Sequence, residues 1–144
     1  MSDDFAPSTV SVVQTAFASD RTTRVESVTL DSNGLSISVS SQLWDARVEF
    51  EQTYGFRVLD ELDLTEFWSR CTLEDGWLFE VTSGGWKELE LKRPYFYSGR
   101  QDWVREYLVV GLNECVSVLT KDEPSVLVAA PSNPSLQPTA FGCN

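Results

Sequence analysis

A chain of 144 residues with 42% hydrophobic side chains, including five Trp, eight Phe and four Tyr, can build one core and excludes a wholly disordered chain. Its 22 acidic against 11 basic residues leave a net charge of −11, which attracts basic partners and disfavours direct nucleic-acid binding. The absence of histidine removes the usual general base near neutral pH and the commonest metal ligand.

No apolar run reaches the length of a membrane helix, and Met1 to Phe5 lacks the basic and apolar parts of a secretory signal, so a cytoplasmic location is expected. Residues 1–9 read as a loose N-terminus. Residues 10–130 read as a single β-rich domain, and the proline-bearing, uncharged stretch 131–144 as a flexible tail. Val10 to Phe17 fits either helix or strand. Thr23 to Leu30 and Leu35 to Ser40 flank Asp31-Ser-Asn-Gly34, whose Asn-Gly pair predicts a hairpin. In the second arm Leu35, Ile37 and Val39 face one way and Ser36, Ser38 and Ser40 the other, the pattern of a half-buried antiparallel strand.

Ala46 to Val58 predicts one long strand bent at Gly55. Asp63 to Arg70 predicts a short helix, with Asp63 as N-cap, Glu66 at the third helical position, and Leu62 and Phe67 as a hydrophobic staple. Trp77 to Thr82 predicts a strand with Trp77, Phe79 and Val81 on one face. After Ser83-Gly84-Gly85, the alternation of Leu89 and Leu91 with Glu88 and Glu90 predicts another strand from Trp86 to Lys92. A second short helix is expected from Ser98 to Trp103. Tyr107 to Val110 and Cys115 to Leu119 form a second hairpin, its first strand apolar on both faces and therefore central. Ser125 to Ala129, after Pro124, reads as an edge strand. The expected class is mainly β, with α+β as the wider alternative: an antiparallel barrel or strongly curled sheet of seven or eight strands with one or two short helices.

Residues 45–91 hold twelve acids against four bases. The densest group runs from Asp60 through Glu61 and Asp63 to Glu66. It lacks the glycine and spacing of a calcium loop, so no metal site is expected there. Asp63 and Glu66 suit a helix start, whereas Asp60, Glu61, Glu66 and, further on, Asp75 are candidates for contact with a basic partner. Tyr95-Phe96-Tyr97 is a run of three aromatics that cannot all face inward, which makes Tyr95 and Tyr97 candidate anchors. Cys71, Cys115 and Cys143 show no metal-binding spacing, and the acids beside Cys71 oppose its ionisation. No serine elbow and no phosphate loop is present. Neither catalytic residues nor a cofactor are expected.

In Phe56-Arg-Val-Leu-Asp-Glu-Leu-Asp-Leu-Thr-Glu-Phe-Trp68, in Gly76-Trp-Leu-Phe-Glu-Val-Thr-Ser-Gly-Gly-Trp86 and in Tyr107-Leu-Val-Val-Gly-Leu-Asn-Glu-Cys-Val-Ser-Val118 the chain resembles small bacterial proteins of the toxin-immunity kind, over residues 45–120. That resemblance implies a stoichiometric binder and assigns a role to no residue. The leading expectation is a non-enzymatic acidic protein that neutralises or regulates a basic protein, such as a toxin. The alternatives are a small-ligand or carbohydrate-binding β-barrel that uses its tryptophans and, third, an enzyme built on paired carboxylates.

Overall fold

The two clearest periodicities settle at the centre of the molecule. In the computed structural model, which describes residues 8–61 and 73–129 (of Arg100 only the backbone), they become the third and seventh of nine strands. In chain order these are β1 (Thr9–Val12), β2 (Arg24–Asp31), β3 (Gly34–Ser40), β4 (Asp45–Phe50), β5 (Thr53–Asp60), β6 (Leu78–Ser83), β7 (Arg105–Val110), β8 (Glu114–Thr120) and β9 (Ser125–Val128). One helix, α1 (Trp86–Leu91), lies between β6 and β7.

The strands form two antiparallel sheets. The first has the order β1-β6-β7-β8-β5 and the second β2-β3-β4-β9. Among the described residues both are open, with β1 and β5 at the edges of one and β2 and β9 at the edges of the other. The mainly β class is therefore as expected, and the described strands form two facing antiparallel sheets with no closed barrel among them.

Between the sheets lie Leu35, Ile37, Val39, Ala46, Val48 and Phe50 from the second and Leu78, Tyr107, Val109, Val116 and Val118 from the first, all buried. Each Val, Leu, Ile or Phe side chain among them adds roughly 1.5–3 kcal/mol on full burial, before any cavity effect. The alternate residues of β3 and β4, among them Ser36, Ser38, Arg47 and Glu49, form the outer face of the second sheet. The first sheet is covered on its other face too. Phe79, Val81, Leu108, Val110 and Cys115 make a second buried cluster there, which is why Tyr107 to Val110 needs apolar side chains in both directions.

Several expectations are revised. Ala46 to Val58 is two strands, not one. The chain leaves β4 for the opposite sheet at Glu51-Gln52, and Gly55 marks only a register shift against β8. Trp77 precedes β6 and joins the core between the sheets, apart from Phe79 and Val81 on the other face. Ser98 to Trp103 contains a single 3-10 turn, Ser98–Arg100. Ser8 is buried, with its hydroxyl donating to the Gly84 carbonyl at 2.7 Å, and β1 begins at Thr9. The expected helix at Asp63 to Arg70 and the tail 131–144 lie outside the described residues.

The stretch Trp86 to Lys92 is the main reversal: it is helical. Its Lys, Glu and Leu are good helix formers, and Glu88 suits the positive end of the helix dipole. Trp86 Nε1 bonds Glu90 at 3.1 Å and Arg93 pairs with Glu90 at 2.7 Å, both at helical spacing. The side chain that fixes the start comes from elsewhere. The buried carboxylate of Glu106 on β7 accepts from the backbone N–H of Trp86 at 2.9 Å and of Lys87 at 2.8 Å. No helix among the described residues is long and apolar enough to cross a membrane.

Candidate functional site

Three strand connections meet at one end of the molecule. The β2–β3 turn supplies Asp31 and Asn33, the β4–β5 turn supplies Glu51, and the β8–β9 turn supplies Asp122 and Glu123. With Thr29, Ser36, Arg47, Glu49 and Ser125 they line a cleft of about 650 Å³. Five of the lining side chains are carboxylates and one is basic. That base, Arg47, is engaged by Glu49 at 2.6 Å, so the cleft keeps a strongly negative field.

Local chemistry holds the rim in shape. Gly34 opens β3 at a φ of +119°, and a Cβ there would collide with the Phe50 carbonyl. The turn can therefore lie against the end of β4. Asp31 Oδ1 accepts from the Asn33 N–H at 2.8 Å, a turn-forming bond. On the far wall Glu123 stands 3.7 Å from Arg105, whose guanidinium is bound in bidentate fashion by Glu80 at 3.0 Å.

Aromatic side chains stand beside this cleft. Trp103 is half exposed, donates to the Tyr54 hydroxyl at 2.9 Å and lies under Lys121, the neighbour of Asp122. Tyr95 and Tyr97, on the same α1–β7 crossover, are 85% and 70% exposed. The crossover is anchored by Glu106 and by Lys87 Nζ, which donates to the Val104 carbonyl at 2.8 Å. Arg57 lies over the Trp86 ring at 5.2 Å. Burial pushes the Glu106 carboxyl above its ordinary value, and the two backbone N–H donors and the Arg57 charge partly offset that rise.

The expected partner-binding residues divide between the two ends of the first sheet. Asp60 closes β5 opposite Glu114, and Glu61 donates its N–H to the Asn113 carbonyl. Asp75 lies beside a smaller hollow of about 330 Å³ with Phe17 and Trp77 at that same end. Tyr95 and Tyr97 lie on the crossover from β6 to β7, which leaves and re-enters the sheet at its opposite end. Glu66 lies outside the described residues. The cleft acids Asp31, Glu51, Asp122 and Glu123 were not singled out by sequence. Their signal is one of parity: each sits in a connection whose strands start or stop at the same end, which becomes readable only once the pairing is known.

Phe17, Trp44 and Trp77 stack with centroids 5.3 Å apart, and the two indole N–H groups donate to the carbonyls of Ala18 and Phe17. Cys115 is a buried free thiol, its pKa pushed up to about 11 by burial. Among the described residues no three Asp, Glu or Cys side chains gather closely enough to hold one metal ion. No protein-family model matches the chain, and no curated protein or solved structure matches it either.

Proposed function

We propose that the protein is a non-enzymatic acidic binding module that captures a basic protein and so neutralises or regulates it, as an immunity protein does a toxin. The observation that carries this reading is the cleft itself: five carboxylates drawn from separate parts of the chain around a single paired arginine. Such a field raises the rate of encounter with a lysine- or arginine-rich surface and rejects acidic ones. Trp103, beside the cleft, and the exposed Tyr95 and Tyr97 on the same crossover supply the rigid, partly apolar contacts that hold a partner once it has arrived.

Calorimetric titration with a lysine-rich peptide tests the reading. The double substitution Glu51→Lys, Asp122→Lys should weaken binding about ten-fold or more, because it replaces attraction by repulsion in the cleft. The pair Asp60→Lys, Glu61→Lys at the other end should change it little. Equal losses from both pairs, or none from the first, would refute the cleft as the binding surface.

A further inference from the structure

β2 is an eight-residue edge strand, and among the described residues only β3 pairs with it. The two halves of its open edge differ. Along the first, Gly111 in the β7–β8 turn approaches so closely that a Cβ there would stand 2.9 Å from the Val25 nitrogen, and Leu112 donates its N–H to the Thr23 carbonyl. The register also shifts between Val25 and Ser27, and Arg24 and Glu26 add charge. Coverage, irregularity and charge are the usual ways in which a protein guards a sheet edge.

Among the described residues the second half, Ser27–Leu30, has none of these guards. Asp31 and Gly34 close the hairpin, so alternation along an antiparallel ladder directs the N–H and C=O of Ser27 and Thr29 to β3. Those of Val28 and Leu30 point to the open side. Leu30, on the inner face, is 61% exposed. Thr29 and Asp31, on the outer face, are themselves walls of the acidic cleft. A strand laid along this half would thus present every second side chain to carboxylates and the others to Leu30.

We propose that the open half of β2 takes up an extended segment of the partner protein as an added strand, one that alternates lysine or arginine with β-branched or apolar residues. This deepens the proposed capture of a basic protein and rests on it. Backbone hydrogen bonds to Val28 and Leu30 hold the segment in place, and the alternating charge sets its register. The added pairing covers about 13 Å of strand, so the segment needs no fold of its own before it binds.

Two peptides separate strand addition from simple charge attraction: an alternating lysine–threonine peptide, and a twin of the same sequence in which every backbone amide is N-methylated. Amide exchange of the full chain, with each peptide bound at low salt, is the readout. With the first peptide, protection of the Val28 and Leu30 amides should rise about ten-fold or more, while Ser27 and Thr29, already bonded to β3, change little. The methylated twin should give no such protection and should bind more weakly. If both peptides bind equally and Val28 and Leu30 stay unprotected, strand addition is overturned while capture by charge stands. If neither binds, capture of basic segments falls and this proposal with it.

Discussion

Gly85 has no room for a side chain, because the two carboxylate oxygens of Glu106 stand 2.7 and 2.8 Å from where its Cβ would be. The backbone of Gly85 is extended, at φ −112°, so the demand for glycine arises from space and not from conformation. An alanine must displace Glu106 from the Trp86 and Lys87 amides and leave a buried charge without its donors. Gly85→Ala should cost about 2–4 kcal/mol, since hydrogen bonds to charged groups are worth more than neutral ones. Denaturant unfolding measures it, and a neutral result would mean that the crossover shifts freely on the sheet.

Glu106 also sets a pH dependence. The groups facing it are Lys87 and Glu88 on α1 and Arg57 on β5, while its neighbours on β6 and β8, Val81 and Leu119, do not titrate. Its pKa is raised in the folded chain, chiefly by burial. The folded state therefore binds this proton more tightly than the unfolded state. That stabilising contribution is complete below the ordinary glutamate pKa and is lost as pH rises through the higher folded value. Glu106→Gln keeps one acceptor and cannot ionise. The melting temperature of the variant should gain on that of the wild type as pH rises from about 4 towards neutrality, and a constant difference would contradict the assignment.

Asp20 and Glu90 act in the opposite sense. The Ser41 and Thr22 hydroxyls hold the Asp20 carboxyl well below its ordinary range, and Arg93 lowers that of Glu90. Stability tied to them is present above the unfolded carboxylate pKa and is lost as pH falls. Asp20→Asn should flatten the acid limb of the stability profile, read by thermal melts below pH 4, and an unchanged acid limb would show that the Ser41 and Thr22 bonds carry no such linkage.

Gly34→Ala tests the rim of the cleft. The residue combines a left-handed φ of +119° with close contact against the Phe50 carbonyl. Strain and overlap together should cost about 2 kcal/mol or more. Binding of the lysine-rich peptide should fall as well, because the turn bearing Asp31 must move.

Association with a basic probe should slow steeply with added salt. The steering charges lie on exposed turns, where screening acts within about 8–10 Å at physiological ionic strength. Stopped-flow mixing over a range of salt, followed by the fluorescence of Trp103 beside the cleft, gives the slope. A flat dependence would remove electrostatic steering from the account.

Patterns contained within one strand were legible from the amino-acid order. The alternation from Leu35 to Val39, the doubly apolar run at Tyr107 to Val110 and the edge strand after Pro124 all appear where period and composition place them. In those stretches each side chain meets its environment through its immediate neighbours two positions away. Trp86 to Lys92 misled because Leu-Glu alternation satisfies a strand period over a few residues, while the carboxylate that caps it as a helix stands twenty positions further on, at Glu106. The break at Glu51-Gln52 was hidden for a related reason: a chain crossing between sheets keeps its alternation on both sides of the corner. The cleft is furthest from the local pattern. Asp31, Glu51, Asp122 and Glu123 are ordinary turn residues along the chain. Strand pairing over long separations alone brings their charges to one end, because which turns share an end depends on which strands become partners.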